Sequence, residues 1–323
     1  MMALPMKKMF CALRAALILC GALGGCTQPS EPDGGLQIVA TLFPQYDFAR
    51  TLAGGRANVS LLLSPGADAH SFDPSPKDIL TVTGADLFIY TGDNMELWAR
   101  RLLESEDVAR AVESGSLTVL DLSAALGLDE ETHAHDPAKE EAHTHEEESD
   151  PHIWTSFRNA ENMCRAIAET LCALDAAGEA VYRENLAAYT AQLHTLDVKM
   201  QEMVDSAAAG TVYFGGSFAF ACLFDDYGLM HRSVYEGCAA HTEPSAAALD
   251  SLIADMRAAG ARYVLYDSAS EEKTARAVAA ETGAEALHIH AIHNITKAEL
   301  DAGETYLSLS EKNLEVLRKA LDA

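Results

Sequence analysis

Positive charge is what this chain has least of for its size. Its 323 residues include 23 Lys and Arg against 49 Asp and Glu, a formal net charge of −26. A nucleic-acid-binding face needs a surplus of cations to neutralise phosphates, so nucleic acid is excluded as a partner. A cationic ligand suits the sign. Cysteine is also scarce, with seven residues, and builds no framework. Cys164 and Cys172 lie on a predicted helix about 12 Å apart along its axis, too far to bridge. Cys222 and Cys238 are a possible pair, with buried free thiols as the alternative. Also missing are any repeat of fine period and the His-Glu-x-x-His motif of helix-borne zinc hydrolases. Apolar content is ample, 49% over a length sufficient for two domains of ordinary size.

The N-terminus reads as a targeting segment. Lys7, Lys8 and Arg14 precede an apolar stretch, Ala15 to Leu23, that is too short to span a bilayer comfortably. Leu23-Gly24-Gly25-Cys26 follows and resembles a bacterial lipobox, which makes Cys26 the lipidation site and residues 1–25 a lipoprotein signal peptide. Residues 26–35 then read as a polar tether to a membrane surface.

From Leu36 onward, short apolar runs alternate with helical patterns. Leu36–Thr41, Val59–Leu63, Leu87–Tyr90 and Leu117–Leu120 read as strands. Tyr46–Leu52, Pro76–Thr83 and Asn94–Leu103 read as helices between them. That alternation predicts a parallel α/β sheet, with ligands at the carboxyl ends of its strands. A helix over Asn159–Leu174 and a long alanine-rich one over Glu179–Ala208 come next. A second α/β pattern follows. Thr211–Phe214, Arg262–Tyr266 and Ala286–Ile289 are its strands; Ser217–Tyr227, Pro244–Ala259 with Thr242 as N-cap, Glu271–Thr282 and Tyr306–Leu321 are its helices. The predicted architecture is two Rossmann-like α/β lobes with mostly parallel sheets, at 36–177 and 209–323, joined by a long rigid helix at 178–208.

The twelve histidines are unevenly placed. His133, His135, His143 and His145 stand in an acidic run, residues 129–149, too polar to pack and suited to catching a borderline-soft divalent metal. The run leads into Asp150-Pro151-His152-Ile153-Trp154. His70 sits in a Pro/Gly-rich loop between a strand and a helix. His241 precedes a helix, and His288, His290 and His293 cluster at a strand end. Strand alternation puts His288 and His290 on one face, with His290 nearer the loop. A site between two lobes would collect such positions. His194 and His231 read as solvated or hydrogen-bonded side chains.

Ser64–Ile79 (SPGADAHSFDPSPKDI) and Asp150–Ala160 (DPHIWTSFRNA) resemble the two signature segments of the zinc- and manganese-type (cluster A-I) solute-binding proteins of ABC importers. Thr242–Ser245 and Tyr306–Leu314 resemble that family as well, and the likeness runs from about Leu36 to the end. It implies two α/β lobes joined by a long helix, one metal in the cleft between them, and zinc specificity marked by the acidic histidine-rich loop. Its first two ligands fall on His70 and His152. Many members place a third histidine at a position that here is Ser217, a poor zinc ligand. The position of their last carboxylate falls on His290, and a subgroup with a His-x-x-His-Asn segment matches His290–Asn294 more closely. The resulting ligand set is His70, His152, His290 and His241, with His293 or a nearby carboxylate as replacement for His241. Imidazoles without a carboxylate suit Zn2+ better than Mn2+. The implied protein is a monomeric lipoprotein, not an enzyme. It is anchored to the bacterial membrane outside the cytoplasm and delivers Zn2+ to an importer permease. An exported zinc hydrolase, or an adhesin or metal buffer of the same fold, is the competing reading.

Overall fold

The structure, a computed structural model, describes residues 35–128, 150–235 and 244–322. Cys26, His133, His135, His143, His145, Cys238, His241 and Thr242 lie outside the described residues. Cys164, Cys172 and Cys222 carry free thiols. No helix among the described residues is long and apolar enough to cross a membrane.

The first sheet comprises β1 (Leu36–Ala40), β2 (Ala57–Leu61), β3 (Leu87–Tyr90) and β4 (Thr118–Asp121), all parallel, in the order β2-β1-β3-β4. β3 (LFIY) is buried along its whole length, as expected of a parallel strand covered on both faces. The helix Phe43–Ala53 follows β1, with Pro at its first turn and Gly54 in the left-handed region at its end. A side chain on Gly54 would also strike Asn185, whose amide donates to the Leu52 carbonyl at 3.0 Å.

The second sheet repeats the pattern. It contains β5 (Thr211–Phe214), β6 (Met230–Ser233), β7 (Tyr263–Tyr266) and β8 (Glu285–His288), all parallel, in the order β6-β5-β7-β8. Each sheet therefore reverses strand order beside its first strand, which opens a crevice at the carboxyl ends.

The 28-residue helix Glu179–Ser206 joins the two halves and is about 42 Å long. Its buried stripe divides between two cores. Tyr182, Tyr189 and Leu193 pack into the core of the first half, and Leu196, Met200 and Met203 into that of the second. Spacings of three, four and seven residues keep these side chains on one face.

Several boundaries differ from the sequence expectations for identifiable reasons. The helix expected from Ser217 starts at Ala221, because Ser217 is held in a turn by Glu271 and the Ala221 N–H donates to the Asp150 carboxylate at 2.9 Å. The helix expected from Pro244 spans Ala246–Ala259, and its N-cap is Ser245, whose hydroxyl accepts from the Ala248 N–H. The helix expected over Asn94–Leu103 begins at Leu97, because Glu96 is buried and receives backbone donors from the preceding turn. β8 ends at His288, a residue earlier than expected, so its alternation does not extend to His290.

Candidate metal centre

His70 lies in the loop between β2 and the helix Pro76–Thr83. Its flanks are fixed locally. The Asp68 carboxylate accepts from the Ser71 N–H at 2.8 Å and its hydroxyl at 2.9 Å, and the Trp98 indole N–H donates to the Ala69 carbonyl at 2.9 Å. His70 is an exposed residue.

His152 is 2% exposed and opens the short 3-10 turn Ile153–Thr155. Its Nδ1 stands 2.6 Å from Asp150 Oδ1. An ionised carboxylate only accepts, so the imidazole carries its proton on Nδ1 and keeps Nε2 as the ring's lone-pair nitrogen. Burial on its own would raise the Asp150 carboxyl, but hydrogen bonds from His152 and Ala221 outweigh it and hold the group below the usual range. A carboxylate that orients an imidazole in this way is the usual support of a metal-binding histidine. The other Asp150 oxygen accepts the Ala221 N–H, so the same side chain ties His152 to the second half.

His293 lies on the segment that leaves β8. Ile292, directly before it, has φ 63°, and among the described residues it is the only non-glycine with positive φ. A β-branched residue in that region is strained, and such strain persists where the surroundings over-determine it. Here the Ile292 N–H donates to His290 Nδ1 at 2.8 Å, the Ala291 N–H to Asp267 at 2.7 Å, and the Trp154 indole to the Ala291 carbonyl at 2.7 Å. Beyond the strained residue, the His293 carbonyl accepts from the Phe43 N–H at 3.3 Å. His293 Nδ1 is buried without a hydrogen-bond partner. Burial pushes the imidazole down to about 4, opposed by Asp267 and reinforced by His152, His290 and His70. The ring is therefore neutral at physiological pH.

The ring centroids of His70 and His152 are 5.7 Å apart, and those of His152 and His293 are 6.4 Å apart. Two imidazoles on one tetrahedral zinc have centroids roughly 5 Å apart, given Zn–N bonds near 2.0–2.1 Å. Both spacings are wider than that of a zinc-bound pair, and among the described residues no group of three His, Cys, Asp or Glu closes on one point.

The other described positions have partners of their own. His288 is exposed, with Nε2 2.8 Å from the Asp267 carbonyl. The His290 ring lies 6.0 Å from that of His288, centroid to centroid. With Nδ1 accepting from Ile292, its neutral ring carries the proton on Nε2, 3.8 Å from Glu299 Oε1. Burial depresses His290, partly offset by Asp267 and Glu299. Ser217 donates through its N–H and hydroxyl to Glu271 at 2.7 and 2.5 Å. A Cβ on Gly216 would lie 2.2 Å from the Glu271 carboxylate, so a larger residue there would have to displace that side chain. His194 is 69% exposed and His231 stacks on Phe218, in keeping with their reading as ordinary side chains. Two features had no signal in the residue pattern. One is the burial that leaves His293 Nδ1 unpartnered, and the other is the strain at Ile292.

A family profile described as "Zinc-uptake complex component A periplasmic" matches residues 38–320. The chain belongs to this family, which is one of zinc-uptake binding components and not an enzyme class. It is 32% identical over 300 residues to the zinc-binding lipoprotein AdcA of Streptococcus pneumoniae, covering 93% of this chain but 58% of that relative. It is 28% identical to the high-affinity zinc uptake system protein ZnuA of Bacillus subtilis, covering 96% of both. The Zn(II)-bound ZnuA-like domain of Streptococcus pneumoniae AdcA superposes with a TM-score of 0.73 at 28% identity, covering 90% of this chain and all of that one.

Proposed function

We propose that this chain captures Zn2+ outside the cytoplasm and delivers it to the permease of an ABC importer, without catalysing a reaction. Family membership and relatives named for zinc binding and zinc uptake support the cargo. The observation that carries the reading is the proximity of three imidazoles from separate segments. His152 faces both His70 and His293, and the last holds a buried nitrogen without a partner. Imidazole nitrogens are good ligands for zinc and poor ones for harder cations such as Mn2+.

The proposed ligands are His70, His152 and His293. His293 takes precedence over His290 because the Nδ1 lone pair of His290 already receives the Ile292 N–H. In this reading His290 fixes the backbone that aims His293. His241 remains the proposed fourth ligand. Cys26 is the proposed lipid anchor and residues 1–25 the signal peptide. The lobes are proposed at 36–177 and 209–323, joined by 178–208. His133, His135, His143 and His145 form an accessory trap that raises local zinc concentration.

Zinc titration against a competing chelator tests the site. His70→Ala, His152→Ala and His293→Ala should each weaken the tight site by more than about 100-fold, exceeding the usual effect of a supporting residue. Unchanged titrations for His70→Ala and His152→Ala would remove the proposal.

A further inference from the structure

We infer that Asn294 is a positioning residue for zinc capture, locking the loop that carries His70 to the segment that carries His293. The inference rests on the reading of His70 as a ligand. Asn294 is 7% exposed, and its side chain is fully engaged. Its Nδ2 donates to the carbonyls of Ser64 at 3.2 Å and Ala67 at 2.5 Å, and its Oδ1 accepts from the Ile295 N–H at 2.7 Å.

The two accepting carbonyls bracket Gly66, whose own N–H donates to the Ile295 carbonyl at 2.9 Å. Gly66 has φ 82°, a conformation that glycine adopts without strain. Three hydrogen bonds thus join the base of the His70 loop to residues 294–295, across 230 positions of sequence in one case. His70 lies three residues beyond Ala67. The loop beyond it is held by Asp68, Ala69 and Ser71, so Asn294 supplies the anchor at the base. On its other side Asn294 follows His293, whose carbonyl accepts from Phe43.

Chemistry restricts what can stand here. An Asn amide offers two donors to two carbonyls and an acceptor to a backbone N–H. A carboxylate would face both carbonyls without a donor, and an apolar side chain would leave buried acceptors unpaired. The consequence for zinc is geometric, because a supporting contact that keeps a ligand in place commonly changes metal affinity by about 10- to 100-fold.

The test is a double-mutant cycle read by chelator competition with Zn2+ on the full chain, using wild type, Asn294→Ala, His70→Ala and the double variant. Asn294→Ala should weaken zinc binding about tenfold or more and have no further effect once His70 is alanine. A merely structural role would lower the melting temperature of the metal-free protein yet weaken zinc equally in both backgrounds. Unchanged affinity, or an undiminished loss in the His70→Ala background, overturns the inference while leaving the site reading standing. If His70→Ala itself binds zinc like the wild type, the site reading fails and takes the inference with it. Asn294→Ser, able to donate to one carbonyl, should give an intermediate loss and keeps the test usable if the alanine variant does not fold.

Discussion

A neutral imidazole has one lone-pair nitrogen, and what that nitrogen touches decides whether the residue can serve a metal. In His152 the Asp150 carboxylate takes the N–H and leaves the lone pair on Nε2. In His290 the Ile292 N–H takes the lone pair itself. Replacing Asp150 by Asn removes the charge that fixes the first arrangement. Zinc affinity should fall about 10- to 100-fold, measured by chelator competition, and equal affinities would contradict the assigned tautomer. His70 and His152 were legible in the sequence, since a Pro/Gly-rich loop and an Asp-Pro turn advertise fixed positions at strand ends. The order of preference between His290 and His293 was not. It depends on the left-handed backbone at Ile292, which no local pattern favours for a β-branched residue.

At the scale of elements, apolar runs located seven of the eight strands because parallel strands buried on both faces need them. β6 (MHRS) escaped, being a half-exposed edge strand without such a run. Helix starts were less legible wherever the cap came from a distant segment, as with Asp150 at Ala221. The start at Leu97 has a different cause, the burial of Glu96. This carboxyl is fully buried before the helix Leu97–Leu103, and burial pushes it up to about 7 despite hydrogen bonds from Thr41, Thr91 and Gly92. A folded-state value above the ordinary 4.5 means that the protonated form favours folding. That contribution is complete below about pH 4.5 and is lost as pH rises through about 7. Glu96→Gln fixes a neutral side chain. Relative to wild type it should gain stability between pH 5 and 8, by on the order of 3 kcal/mol at the upper end. Urea denaturation of the metal-free proteins at both pH values reads the difference. Parallel pH profiles for the two proteins would contradict it.

At the scale of the molecule, two similar sheets share a helix that packs into both cores, and the segment after β8 crosses back to the first half through Phe43, Trp154 and the His70 loop. Among the described residues, the segments that carry the proposed ligands are held by these contacts. Deleting 131–148 should leave one tight zinc site intact in a calorimetric titration and remove only weaker ones. Loss of the tight site would show that the acidic loop, and not the junction of the halves, holds the metal. The most direct measurement is anomalous diffraction at the zinc edge from crystals of the full chain loaded with one equivalent of Zn2+. The account predicts a single strong peak within bonding distance of His70, His152 and His293. A peak away from these three rings would contradict it.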